Sequence, residues 1–516
     1  AQAVSKVPRA CYFGVEETDP ARGARMGGYI AGMDRHQQVL FPETLDEYVS
    51  EDNEVRFIDA FVAGLDMSKL GFARAIPSID GRTAYDPRDL LRLYIYGYLN
   101  RTRSSRRVEV ETHRNLEVIW LMRKLRPDHK TIANFRRAHP EPLKQVTREF
   151  TLLCKELNLF GSSLVFIDGS KFRAVNNKDR NFTQARLEKL LAMIDERAAE
   201  YLKELEEADA AEEGEGGATD ADLRKKIEAL QEKKKRYASY QEQLKESGET
   251  QLSLTDPESR RMKIRGDIDV CYNVQIAVDS KHHLIVAHDV TDQANDLEQL
   301  APMAMAAKAE LGVETLDASA DRGYHSERQV VECEANGITP YVPAPKTSSK
   351  NKKQGRFTKG SFNYSAKRDA YQCPAKQWLS PCTKEVKKGR ELKYYANRSA
   401  CRDCPLRSQC TKAKDGRRIM RTPEEEQVAA MARRLKERSE LMLQRKSTVE
   451  HPFGTMKRAW DGGYFLMQGL RNVRGELSLA VLAYNMRRVL NLLGVKCVLE
   501  VLRKRKMAPQ PLARAA

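Results

Sequence analysis

The chain has 516 residues, 41% hydrophobic and 31% charged, with a formal net charge of +17. That length exceeds one ordinary core and predicts about three domains, while the cationic surplus suits a polyanionic partner, nucleic acid foremost, as well as a merely soluble basic protein. No apolar run reaches the ~18–20 residues that span a bilayer, the opening Ala1-Gln2-Ala3-Val4-Ser5-Lys6 lacks an apolar signal core, and ten cysteines are too few for a disulfide scaffold, which predicts a reducing cytoplasm.

Residues 1–40 hold no sustained period and are expected to be a loose lead. From Thr44 the pattern turns helical, and 41–158 is expected to be a helical, DNA-binding domain. Phe57, Ile58, Phe61, Val62 and Leu65 repeat at spacings of three and four, and Asp86-Pro87 opens a further helix. A basic patch follows at Arg101, Arg103, Arg106 and Arg107. After the turn Arg126-Pro127-Asp128, a short helix begins at His129, with Ile132 and Phe135 inward and Lys130, Asn134, Arg136 and Arg137 left for solvent or DNA. Two short helices around a tight turn, the second polar and basic, fit a helix-turn-helix and also many plain bundles. A helix over 140–158 leads into Ser163-Leu164-Val165-Phe166-Ile167-Asp168-Gly169, which reads as a buried strand that ends by delivering one carboxylate to a sheet rim.

The segment 176–265 is highly charged. It predicts two long helices, Gln184 to about Ala208 and Asp220 to about Ser247, as an antiparallel hairpin around an acidic, glycine-rich connection. The hairpin suits a solvated insertion, a DNA contact or a subunit contact. A β-hairpin then follows over Tyr272–Val278 and Leu284–Val290, a helix over Asp296–Leu311 closed by Gly312, a strand over Thr315–Asp321, a helix that Ser326 caps, and a strand over Thr339–Val342. Strand, hairpin, helix, strand, helix, strand is the order of a ribonuclease H-like mixed α/β sheet, over 159–175 and 266–345. Its first and fourth strands are neighbours, which brings Asp168 and Asp321 to one rim.

Two carboxylates on a basic chain suggest hard cations, and a third acidic group is needed to hold two of them. Glu450 is the candidate. Lys457 lies seven residues on, two helical turns away and on the same face, although Pro452 is expected to kink or restart that helix. A surface helix with an ordinary Glu/Lys face gives the same pattern. Within a basic insertion over 346–420 lie Cys373, Cys382, Cys401, Cys404 and Cys410, five thiols for the four positions of a structural Zn²⁺ site, or a set of small buried thiols. Core helices are expected over 421–495, and a basic tail over 496–516 that adds nonspecific DNA affinity.

Several segments together resemble the DDE transposases of bacterial insertion sequences, in particular the cut-and-paste group with an InsH-like N-terminal domain. They are Ile167-Asp168-Gly169-Ser170-Lys171, Ala320-Asp321-Arg322-Gly323-Tyr324-His325-Ser326, Val449-Glu450-His451-Pro452-Phe453-Gly454 with Lys457, Leu470-Arg471-Asn472-Val473-Arg474-Gly475-Glu476, and the N-terminal Arg103–Arg107 and Asp128–Arg137. The resemblance spans roughly 40–495. It implies that Asp168, Asp321 and Glu450 are a catalytic triad holding two Mg²⁺ or Mn²⁺ ions, and that Arg445, Lys446, Lys457 and Arg458 contact DNA. Where the family shows a Tyr and an Arg before the glutamate, this chain has Leu443 and Lys446, which puts in doubt how a hairpin end is held. The implied partners are double-stranded DNA, as element ends and target, and a second copy of the chain in a dimer or larger assembly at the nucleoid. Two further readings share the residues: a domesticated DNA-binding protein that does not cut, and a metal-dependent nuclease.

Overall fold

The computed structural model describes residues 44–76, 84–176, 178–211, 217–264, 266–345, 355–387, 390–459 and 462–507. The expected lead and the lysines at 346, 350, 352 and 353 lie outside the described residues. By contacts the chain divides after Glu47, and the unit Tyr48–Ala516 holds nearly every element.

Six helices come first: α1 (Glu54–Ala63), α2 (Pro87–Leu99), α3 (Ser105–Arg114), α4 (Leu116–Leu121), α5 (His129–Ala138) and α6 (Pro140–Glu156). Their starts follow local chemistry. Asn53, Asp86 and Asp128 each accept a backbone N–H of the first turn, and prolines open α2 and α6 where a missing N–H costs nothing. The three-and-four spacing buries Phe57, Ile58, Phe61 and Val62, and Phe61 meets Phe150 of α6 edge-on at 5.5 Å. Between α4 and α5 the chain reverses through Arg123 and Lys124, both in the left-handed region.

β1 (Leu164–Arg173) does not end at Asp168. It runs five residues further because its whole length pairs antiparallel with a long partner. Beyond it, β2 (Asn181–Thr183) pairs with β3 (Gln251–Ser253) at the foot of two helices, α7 (Gln184–Ala211) and α8 (Gly217–Ser247). The hairpin has its own small core of Phe182, Leu187 and Leu244, with Tyr237 and Tyr240 against Phe182.

The main sheet is completed by β4 (Arg260–Ile264), β5 (Asp267–Asp279), β6 (Ile285–Thr291), β7 (Leu316–Ala320) and β8 (Ile338–Tyr341), joined by α9 (Leu300–Leu311) and α10 (Glu327–Ala335). Strand order is β4-β5-β1-β7-β8, with β6 also on β5. β1, β5 and β6 are antiparallel neighbours, whereas β1, β7 and β8 run parallel, so the sheet is mixed. α9 begins four residues later than its apolar content suggests, leaving Asp296 in the preceding turn. Ser326 occupies the N-cap position of α10, but its side chain makes no cap hydrogen bond.

The cysteine-rich segment, which shows no strand pattern in its sequence, forms a second, wholly antiparallel sheet. Its strands are β9 (Asn363–Ser365), β10 (Ala370–Gln372), β11 (Trp378–Lys387), β12 (Arg390–Ala396) and β13 (Arg418–Arg421), with short helices α11 (Arg398–Arg402) and α12 (Arg407–Cys410) between the last two.

The chain closes with α13 (Glu425–Glu437), α14 (Leu441–Gly454), α15 (Leu470–Leu493) and α16 (Val495–Met507). Pro452 sits inside α14 without restarting it, because α14 is packed on β1 and β7. Three residues after the proline the backbone widens into a π-helical turn, Thr455–Ala459. α15 starts at Leu470 and packs on α2, α6 and β6. Gly475 allows this approach, since a Cβ there would meet Pro140 Cα at 2.6 Å. The expected basic tail begins as a helix, α16, with Val498, Leu499 and Leu502 buried and Arg505 paired to Glu149 and Glu156.

Candidate active site

In the parallel register of β1 and β7, Ile167 stands beside Ala320. The next residue on each chain is an aspartate. Asp321 leaves β7 and accepts the Gly323 N–H at 2.7 Å, which fixes its carboxylate at the rim. Asp168 accepts the Gly169 N–H at 3.0 Å and keeps 23% side-chain exposure. Burial pushes its carboxyl up to about 6; Arg445 opposes the rise, while Asp321 and Asp296 add to it.

Glu450 lies on α14 and is exposed. It lines a cleft with Asp168, Ser170, Lys171, Lys263 and Lys457. Lys457, on the π-helical turn, donates to Ser170 Oγ at 2.6 Å and to the Lys171 carbonyl at 2.7 Å, and its ammonium sits 4.6 Å from the Phe172 ring centre. Arg445 turns inward, its Nη1 3.5 Å from Asp168 Oδ1, with Nε and Nη1 otherwise lacking hydrogen-bond partners. Lys446 and Arg458 are exposed, and so is Leu443. Of Arg445 and Lys446, it is therefore Arg445 that stands beside Asp168. Among the described residues, no three His, Cys, Asp or Glu side chains are placed to hold a metal ion together.

One acidic residue at this rim escaped the sequence reading. Asp296 Oδ1 accepts from Asn273 Nδ2 at 2.7 Å, Gln275 Nε2 at 2.8 Å and Lys171 Nζ at 3.4 Å. Gln275 in turn accepts from the buried Tyr324 hydroxyl. Gly169 is required beneath them, because a Cβ there would overlap Gln275 Nε2 and reach Asp296 Oδ1 at 2.8 Å. The available signal was two amides, Asn273 and Gln275, in an otherwise apolar buried strand; both are fully buried, where such groups need partners.

The N-terminal cations divide. Arg106 and Arg107 on α3 and Lys130, Asn134 and Arg137 on α5 are exposed, with α3 packed on α5. Arg136 is buried, against expectation. Its Nη1 donates to Tyr98 Oη at 3.0 Å and stands 4.0 Å from the Glu476 carboxylate. Arg103 is drawn inward too, donating to the Tyr464 carbonyl at 3.0 Å and pairing with Glu476 at 3.8 Å. Glu476, only 2% exposed, also accepts the backbone N–H groups of Leu466 and Met467. A buried carboxylate demands such partners, and no local pattern in α5 reveals them.

Of the five clustered cysteines, Cys373, Cys401, Cys404 and Cys410 line one cavity. Cys382 does not. It is exposed on β11, its Sγ 3.3 Å from the Tyr394 carbonyl.

Residues 372–490 match the model of a family described as a transposase DDE domain. Residues 43–138 match another, described as a transposase domain (DUF772). The first match takes in Glu450 and the cavity cysteines but begins beyond Asp168 and Asp321. No curated protein matches. Among solved structures, the piggyBac transposase synaptic complex with hairpin DNA, determined by cryo-electron microscopy, aligns at 9% identity and a TM-score of 0.28, over 89% of this chain and 83% of that one. These two family matches, over residues 43–138 and 372–490, support a DDE-type transposase.

Proposed function

We propose that the chain binds the terminal inverted repeats of its own element, cleaves DNA there and joins the freed end to target DNA. The sheet supports a ribonuclease H-like reading, since the order β6-β5-β1-β7-β8, with only β1, β7 and β8 parallel, fits it. The observation that carries the proposal is the β1–β7 register, which sets two aspartates side by side with Glu450 on the cleft that Asp168 also lines. Three carboxylates are the hard oxygen donors that Mg²⁺ or Mn²⁺ prefer, and Asp168, poorly solvated when charged, suits a neighbouring cation. When bound, two such ions supply an activated water and neutralise charge on the leaving 3′ oxygen.

The chain's own residues do the rest. Asp168, Asp321 and Glu450 would hold the ions. Lys457, fixed to β1 at two points, offers its charge to the phosphate beside them. Asp296 is a positioning residue that braces Lys171, Asn273 and Gln275 behind the rim. Water attacks phosphorus in line, the bond to the 3′ oxygen breaks, and a 3′-OH and 5′-phosphate result. The 3′-OH then attacks a target phosphodiester, which releases a new 3′-OH there. Exposed Arg106, Arg107, Lys130, Asn134 and Arg137 would grip the ends, and joining two ends calls for a dimer or larger assembly on DNA.

The test is cleavage and joining with Mg²⁺ on DNA carrying the terminal repeats that flank the gene. Activity lost in Asp168→Asn, Asp321→Asn and Glu450→Gln, each still binding the ends, is the expected result. Full activity in all three overturns the site. A wild type that binds the ends and never cuts them establishes the DNA-binding alternative, and hydrolysis without joining establishes the nuclease.

A further inference from the structure

We infer that Cys373, Cys401, Cys404 and Cys410 form a tetrahedral, structural zinc site that holds the second sheet together, and that Cys382 has no part in it. The sheet is large for its interior. Five strands enclose a core of five buried side chains, Phe362, Tyr371, Leu379, Tyr395 and Ile419, with Cys373 and Cys410 packed at its edge. A core of that size supplies only a few kcal/mol at best, and small units usually need a metal or disulfide staple.

The four thiols come from three places. Cys373 opens a tight turn after β10, its carbonyl accepting from Lys376 N at 2.8 Å and its N–H donating to Gln377 at 2.9 Å. Cys401 and Cys404 lie on and just after α11, with two residues between them, and Cys410 ends α12. All four line one cavity.

The surrounding chain is built to keep this space. Arg407 ties the loop by donating to the carbonyls of Cys401, Arg402, Ala413 and Lys414. Gly416, in the left-handed region, leaves room beside Cys401, whose Sγ would stand 3.0 Å from any Cβ there. None of the described cysteines is in a disulfide. As placed, the thiols are not at metal-bonding distances. Zn²⁺ needs about 2.3 Å to each sulfur, so binding draws the thiols inward from the cavity wall.

The experiment is zinc stoichiometry of the full chain, purified without chelator, by elemental mass spectrometry. About one zinc per chain is expected in the wild type and in Cys382→Ser, and less than half of that in each of Cys373→Ser, Cys401→Ser, Cys404→Ser and Cys410→Ser. For variants that fail to fold, the wild type itself is loaded with Co²⁺, whose thiolate charge-transfer and visible bands report tetrahedral sulfur ligation. No zinc and no such bands in the wild type, disulfides among the four cysteines, or zinc lost equally in Cys382→Ser each overturns the site. The outcome is independent of DNA cleavage, so it separates from the fate of the proposed function.

Discussion

The chain's two larger sheets stay folded in different ways. The first lies in an extensive core: Val165, Phe166 and Ile167 of β1 are fully buried, with α9, α14 and α15 packed over the sheet. It can therefore carry, at its rim, carboxylates that repel one another. The second sheet has a core cluster of only five buried side chains, with four thiols lining one cavity beside it. Where apolar burial is ample, charged groups can be concentrated for chemistry; where it is scarce, polar and sulfur groups hold the structure.

The largest expected effect tests the first sheet's rim. Asp168→Asn should lower Mg²⁺-dependent cleavage on the order of 10³-fold, in the range of losing a key transition-state contact. Its melting temperature should hold or rise, because the charged form of Asp168 is disfavoured by burial. A parallel fall in melting temperature would mean that the carboxylate is structural. Phe166→Ala against Tyr395→Ala then sharpens the contrast between the cores. The first should cost about 3–5 kcal/mol in global unfolding by denaturant. The second should loosen only residues around β9–β13, seen as faster amide exchange confined there. One shared transition for both variants would break the comparison.

Asp296→Asn should reduce cleavage about tenfold through the brace behind the rim and move the pH–rate profile, while the isosteric amide leaves folding intact. An unchanged profile would make Asp296 a packing residue. The smallest effect is a pH slope in the first core. His288, half-buried with Nε2 2.9 Å from Ser478 Oγ, has its pKa lowered by loss of solvation to about 3. Its folded value lies below the unfolded one near 6.5, so its neutral form favours the fold above about 6.5. That contribution is lost as pH falls toward 3, by about 1.4 kcal/mol per unit. His288→Gln should flatten stability between pH 6.5 and 5, measured by denaturant midpoints.

Legibility in sequence tracked the range of the interactions. β1 was readable from its β-branched and aromatic run, and α7 and α8 from their periods, because neighbours in sequence fix such elements. That the strands of Asp168 and Asp321 are neighbours was expected from the element order, whereas their parallel register is visible only in the structure. What stayed hidden depends on distant partners: Asp296, held by Asn273 and Gln275; Arg136, drawn in by Glu476; the extension of β1 past Gly169, fixed by β5. The second sheet was missed because β9, β10 and β13 are three or four residues long and β11 is largely exposed and charged, with Pro381 at a bulge.

Glu476 has a consequence for where a cut would fall. It joins α15 to α5 through Arg136, to the chain before α3 through Arg103, and to the backbone at Leu466 and Met467. The helices proposed to read DNA are thus bolted to the helix that closes the sheet carrying the proposed site. A tethered reader would let the nick wander along the strand. A bolted one would work as a caliper, with the distance between recognised bases and severed bond set by the protein's own dimensions.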